Sequence, residues 1–131
     1  MSTRSLLRVS PTRLARRRRY EAYRASATWH QARAAWAGEE ERRTGLPITC
    51  VVCGLRWELR RDDLHHMTYV RQGHEAHEDL VAVHRPCHEA IHRAFKNRRW
   101  HSIDRVVAMR IIINRLSHQY QHGAGRGQVS E

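Results

Sequence analysis

Residues 50–92 read CVVCGLRWELRRDDLHHMTYVRQGHEAHEDLVAVHRPCHEAIH and hold all three cysteines of the chain and seven of its 11 histidines. Two pairs with the same spacing punctuate the stretch: Cys50-Val51-Val52-Cys53 and His84-Arg85-Pro86-Cys87. A tight turn offers both members of such a pair at the bite a tetrahedral Zn²⁺ requires, and thiolate and imidazole are its usual ligands. Three thiols would strand one in any disulfide scheme, and an intracellular setting disfavours disulfides in any case. The expectation is therefore a structural Cys₃His zinc site of Cys50, Cys53, His84 and Cys87. The competing reading is a reduced Cys pair in an apolar core, with His84 incidental. With a single Phe and a hydrophobic fraction of 40% the core is thin, so a closed metal site would help hold the centre together.

Between the pairs, Leu55 to Leu59 and Asp63 to Met67 flank the polar Arg60–Arg61–Asp62 and read as a short β-hairpin. Residues 68–78 read as a loop containing Gly73, Asp79 to Val83 as a short apolar turn, and Pro86–Cys87 as the opening of a helix to about Phe95. His88 and His92 stand four apart and share a face of that helix. The zinc turns would bring hairpin and helix together, so His65 can meet His88 and His92. Three imidazoles with open positions describe a catalytic rather than a structural ion. Neighbours on a strand point to opposite sides, so His66 would face away from that ion and be free to act as a base. The plainer alternative is that these histidines are surface or loop residues. His74 and His77 read as solvated or at most phosphate-contacting, and Glu75 as a residue that fixes the loop.

Outside this stretch the chain is helical. Ser10–Pro11 forms a helix start, and Ala22, Ala25, Trp29, Ala32 and Trp36 recur at spacings of 3 and 4, widened by Tyr20, Tyr23 and Ala27. One long amphipathic basic helix over 11–45 is expected, stopped by Gly45 and Pro47, with Gly38 as a point where it breaks or kinks. The aromatic stripe has the period of a buried face, with base stacking as the alternative. Ser102 caps a C-terminal helix within 98–122, in which Val106, Met109, Ile113, Leu116 and Tyr120 form the apolar stripe. Residues 1–10 and the tail 123–131 are expected to be disordered.

The net charge of +11 is uneven: residues 1–20 hold seven Arg and no acid, 45–92 carry two more acids than bases, and 93–131 carry +6. Basic arms around a ligand-rich middle suit an anionic polymer such as DNA. Arg16, Arg17, Arg18, Arg19, Arg93, Lys96, Arg98 and Arg99 are the candidate backbone contacts, with a solvated helix face as the alternative for the four-Arg run. No stretch is apolar for long enough to span a membrane, and the Arg-rich start lacks a signal peptide's apolar segment, so a cytoplasmic protein is expected.

The ordered set Cys50-x2-Cys53, Asp63-Leu64-His65-His66-Met67-Thr68-Tyr69, Gly73-His74-Glu75, Glu78-Asp79-Leu80 and His84-x2-Cys87-His88-x3-His92 resembles the HNH endonuclease family. The likeness covers 50–92, about a third of the chain, and extends less specifically to Tyr20, Tyr23, Ser26, Trp29 and Arg33, similar to the helix before this core in bacterial and phage members. It implies an α+β fold: a small ββα-metal (His-Me finger) core over 46–97 with a structural zinc site, flanked by long N-terminal and C-terminal helices. It also implies that His66 is the base that activates water and that His65, His88 and, as in colicin-type members, His92 hold the catalytic divalent cation. Asp79 takes the place usually held by Asn, where its charge would either raise the basicity of His66 or hold the loop. His84 replaces a more usual Cys.

The implied activity is metal-dependent hydrolysis of DNA phosphodiester bonds, nicking double-stranded DNA with little sequence preference. Mg²⁺, Mn²⁺, Ni²⁺ and Zn²⁺ are all candidate ions, Mg²⁺ fitting imidazole ligands least well. The rival is a zinc-stabilised nucleic-acid-binding module, or a phage-packaging accessory without cleavage, in either case a monomer or weak dimer in a bacterial or phage-infected cell, with a packaging or host protein as a further partner.

Overall fold

A computed structural model describes residues 10–122; of the segments expected to be disordered, 1–10 and 123–131, all but Ser10 lie outside the described residues. Within them the chain forms four α-helices and a two-stranded antiparallel sheet, an α+β arrangement. Helix α1 (Pro11–Arg24) starts where Ser10 Oγ accepts from Arg13 N, with Pro at the first position. Helix α2 is Ala27–Thr44, closed by Gly45 at φ 67°, whose N–H donates to Glu41 O.

The expected single helix over 11–45 is thus two. The break falls at Ala25–Ser26, because the Ser26 hydroxyl accepts from Trp29 N at 3.1 Å and donates to Tyr23 O at 2.5 Å, capping one helix while ending the other. Gly38 lies inside unbroken helix. Trp29 and Trp36 are buried, while Ala22 and Ala25 of the same stripe are exposed, and α1 buries no residue.

Strand β1 (Asp63–His66) pairs with β2 (Leu80–Val83) in the register Asp63↔Val83, Leu64↔Ala82, His65↔Val81 and His66↔Leu80. The expected hairpin of Leu55–Leu59 with Asp63–Met67 does not form, and the stretch read as an apolar turn supplies the second strand. Residues 55–62 are occupied otherwise: Thr49 bridges Arg56, Glu58 N–H donates to Asp62 Oδ2, and the Arg33 guanidinium of α2 takes the carbonyls of Leu59 and Asp62. The Leu59 and Asp62 carbonyls are therefore not free to pair a strand here.

Helix α3 (Arg85–Phe95) follows β2 at once and packs on β1 and on α4 (Arg105–His122). The residues between α3 and α4 form a 3₁₀ turn at Arg98–Trp100, so the C-terminal helix is shorter than expected. Its cap is Asp104, whose Oδ2 accepts from Val107 N, rather than Ser102.

The sheet separates two cores. Leu64, Leu80 and Ala82 face Trp29, Trp36, Ile48 and Trp57, whereas Val83 meets Cys50, Val52, Cys87, Ile91, Met109 and Ile112. Ile91 is wholly buried at the second of these. Ile91→Ala should cost about 3 kcal/mol in urea unfolding, from the forfeited transfer energy plus the cavity left behind. Exposed Val107→Ala should cost under about 0.5 kcal/mol; equal effects would contradict this core.

Candidate metal centres and the histidine beside them

The 50–53 turn is built by its backbone. Cys50 N–H donates to Leu55 O, Gly54 N–H donates to Cys50 O, and Gly54 takes φ 77°, a conformation that costs other residues. The N–H groups of Val52 and His84 both donate to Cys50 Sγ at 3.4 Å. His84 Nε2 donates to Arg56 O at 2.7 Å, which leaves Nδ1 as a lone pair, and that nitrogen lies 3.1 Å from Cys53 Sγ. Fixing one ring nitrogen so that the other can bind is how histidine ligands are oriented. The ligand atoms of Cys50, Cys53, His84 and Cys87 all lie within 4.8 Å of one another. Burial and the neighbouring Cys50 thiol push Cys87 up to about 12, and a bound cation relieves that crowding of thiols by deprotonating them. The donor set and its orientation fit a metal such as zinc.

A second group comprises His65, His88 and His92, again with ligand atoms within 4.8 Å. His65 is fully buried on β1, with Nε2 3.2 Å from Met109 Sδ and Nδ1 buried without a partner. Burial, then the neighbouring His88, His92 and Arg105, push it down to about 2, so it is a neutral imidazole, the form that ligates. His88 Nδ1 bonds Asp63 Oδ2 at 3.1 Å, and its Nε2 lies 3.1 Å from Nε2 of His92. Three imidazoles with one nitrogen each gathered beside the exposed edge of His92 fit a divalent cation with open positions.

The period-two rule sends His66 the other way. Its ring is stacked between Trp29 (5.2 Å, 26°) and Tyr69 (5.0 Å, 22°), with Tyr20 edge-on at 6.1 Å. Nε2 lies 2.8 Å from Glu75 Oε2, and Glu75 Oε1 accepts from the Tyr23 hydroxyl at 2.9 Å. Burial raises Glu75, but the His66 bond and further donors outweigh it and keep the carboxyl below its usual value, hence ionised. An ionised partner accepts the Nε2 proton, so neutral His66 carries its lone pair on Nδ1, which is buried and has no partner. Burial outweighs Glu75 and holds His66 below the ordinary histidine value.

Asp79 makes no hydrogen bond to His66, although its charge is among the influences that raise that imidazole against burial. Its carboxylate takes both Arg71 Nε (2.8 Å) and Nη2 and the Ala76 N–H (2.8 Å), and Arg71 first among these lowers its pKa. Of the two roles open to it, holding the loop is the one its bonds support. That loop carries Glu75 to His66, so Glu75 does more than fix the loop. His77, expected to be solvated, is packed flat on Trp36 at 5.1 Å and bonds Glu40 at 2.6 Å, pinning the loop to α2.

Among the basic residues, Arg16, Arg17 and Arg19 line a cleft of about 550 Å³ with Arg13, Tyr20, Tyr69 and Gln72. Arg18 is exposed on the same helix. Arg93 and Lys96 are exposed at the end of α3 that carries His92, and Arg98 and Arg99 on the 3₁₀ turn, Arg99 over the Trp100 ring at 4.8 Å. Arg105, expected with Arg110 and Arg115 to lie largely off the apolar stripe of the C-terminal helix, instead turns inward, and its Nη2 donates to His66 O at 3.1 Å. A signal existed: Arg105 stands in helical step with Met109, Ile112 and Leu116, which puts a charge on the buried face.

In comparisons with known proteins, no family model, curated protein or solved structure matches the chain. Purified protein is expected to carry one tightly held zinc, measured by elemental analysis. Cys87→Ser should lose it together with the near-ultraviolet circular dichroism of the fold, whereas His92→Ala should keep it and lose only a second, weaker ion. Full zinc content in Cys87→Ser would sink the assignment.

Proposed function

We propose that the protein is a metal-dependent endonuclease of HNH type that hydrolyses DNA phosphodiester bonds. One observation carries this reading: consecutive residues of one strand enter two different settings. His65 joins His88 and His92 on one side, while His66, on the other, has Nε2 committed to Glu75 and Nδ1 open. A binding module needs neither once Cys50, Cys53, His84 and Cys87 hold the fold.

In the proposed reaction His66 Nδ1 takes a proton from the water that attacks phosphorus in line. The new P–O bond forms as the P–O3′ bond breaks, and the Glu75 carboxylate steadies the imidazolium that results. A divalent cation held by His65, His88 and His92 would supply Lewis-acid stabilisation of the charge on the phosphoryl and leaving oxygens. Asp79 and Arg71 keep the loop, and thereby Glu75, in place. The arginines of α1 and of the α3 end would hold phosphates without reading bases.

The second reading, a nucleic-acid-binding module without cleavage, draws on the burial of His66, which is 2% exposed among Tyr20, Trp29 and Tyr69. Conversion of supercoiled plasmid separates the two. Nicked product should require added Mn²⁺, Ni²⁺, Zn²⁺ or Mg²⁺, and His66→Ala should lower the rate by about 10²–10⁴-fold while DNA binding persists. Cleavage indifferent to His66, or none in any metal, would leave the binding module as the function.

DNA affinity itself should fall steeply with salt, and replacing Arg16, Arg17 and Arg19 by Gln should flatten the slope of log K against log salt by roughly one unit for each phosphate no longer neutralised. A slope unchanged in that triple variant would remove α1 from the interface.

A further inference from the structure

Arg105 is a half-buried guanidinium without a counter-ion. Its Nη2 donates to His66 O at 3.1 Å, and its Cζ lies 4.7 Å from the Tyr69 ring centroid and 5.1 Å from that of Phe95. Nε is buried and unpartnered, and no carboxylate among the described residues pairs with the group. The acids nearby are already engaged: Glu75 by His66 and Tyr23, Asp79 by Arg71, Asp63 by His88 and Arg85. An unmatched buried charge is costly, and native structures keep one where a ligand completes it.

The surroundings name the sign of that ligand. Arg105 stands one helical turn before Met109, whose Sδ lies 3.2 Å from His65 Nε2, and donates to the carbonyl of His66, the next residue of the strand, while Arg24 lies 5.7 Å from the ring of Tyr20, which packs edge-on against Tyr69. The His65, His88 and His92 group contains no carboxylate, so a divalent ion there would add two further positive charges with no ligand carboxylate to offset them. Cation and guanidiniums repel until an anion sits between them. Phosphate oxygens match the planar fork of arginine, and a phosphodiester is the anion of that chemistry.

Resting on the reading of the His66 site as one that handles phosphodiesters, we propose that Arg105 forms an anion subsite that binds the phosphodiester group next to the His65, His88 and His92 cluster. Anion and cation then bind as a pair, each raising the affinity for the other by the same factor.

The test needs no cleavage. Dimethyl phosphate is titrated into the zinc-replete full chain, with the Arg105 Nε–H resonance followed by NMR and assigned through Arg105→Lys. That resonance should shift and saturate. Arg105→Gln, which keeps a donor for the His66 carbonyl, should weaken dimethyl phosphate binding at least tenfold and abolish its enhancement of Mn²⁺ affinity, whereas Arg42→Gln, at an exposed arginine of α2, should change either less than twofold. An Nε–H resonance that stays put at saturation, or wild-type binding in Arg105→Gln, overturns the proposal. If the Gln variant does not fold, the wild-type resonance decides. Arg105-dependent binding in a protein that cuts no plasmid would keep the subsite and discard the nuclease; cleavage without that binding would do the reverse.

Discussion

The chain leaves the Cys50–Cys53 turn and returns to it at His84, 31 residues beyond Cys53, and the gathering of those four ligand side chains is the constraint on which the rest depends. Closing a loop of that length costs on the order of 3 kcal/mol in chain entropy beyond a constant. Structural Zn²⁺ on such ligands would supply about 10–16 kcal/mol at pH 7, so the metal outweighs the closure several-fold. His65 and His66 lie inside this loop, and His88 and His92 just past it. The Val51 N–H donates to Ala82 O, tying the turn directly to β2, and Cys87 opens the helix that bears His88 and His92. Registering the turns therefore registers the strands and the helix in one step.

Given that frame, the division of labour follows from strand geometry. Antiparallel pairing places His65 opposite Val81 and His66 opposite Leu80, and alternation directs them to different cores. His65 is pressed against Met109 and kept neutral by burial. His66 is sandwiched between Trp29 and Tyr69, with only its Nε2 edge reached by a carboxylate. A one-residue slip of β1 would exchange the two environments and lose both. The loop between the strands opposes such a slip, because Met67 N–H donates to Asp79 O while the Asp79 side chain holds Arg71 and Ala76.

Both candidate metal-ligand groups were legible in the sequence, since x-two pairs and an i, i+4 histidine pair are local spacings that survive whatever the tertiary fold does. The zinc-type ligands, the alternation at His65 and His66, the Ser10 and Gly45 caps and the burial of Trp29 and Trp36 all belong to this kind. What stayed illegible depends on partners distant in sequence. Leu55–Leu59 has strand composition, yet Arg33 of α2 claims two carbonyls of the 55–62 segment. Ser26 looks like any helix residue until its hydroxyl is seen bridging Tyr23 O and Trp29 N. Glu75 and Asp79 could have exchanged roles as far as spacing shows, because only the folded loop decides which carboxylate meets His66.

Burial and charge pull this molecule in opposite directions, and the balance bears on what it acts on. An imidazole enclosed by three aromatic rings, as His66 is, avoids bulk water, which sharpens every interaction it makes, and any group that reached it would have to displace something. Helix α1 contributes one of those rings, Tyr20, while burying none of its own residues, so the enclosure is weakest where the arginine density is greatest. An anionic polymer drawn to Arg13, Arg16, Arg17 and Arg19 would meet the protein at the Tyr20–Tyr69 wall, 5.0 Å of ring stacking away from His66. Such a polymer would meet long-range attraction first, then the aromatic wall, with the Arg105 guanidinium over the Tyr69 ring. A neutral or cationic substrate would gain nothing from any of the three.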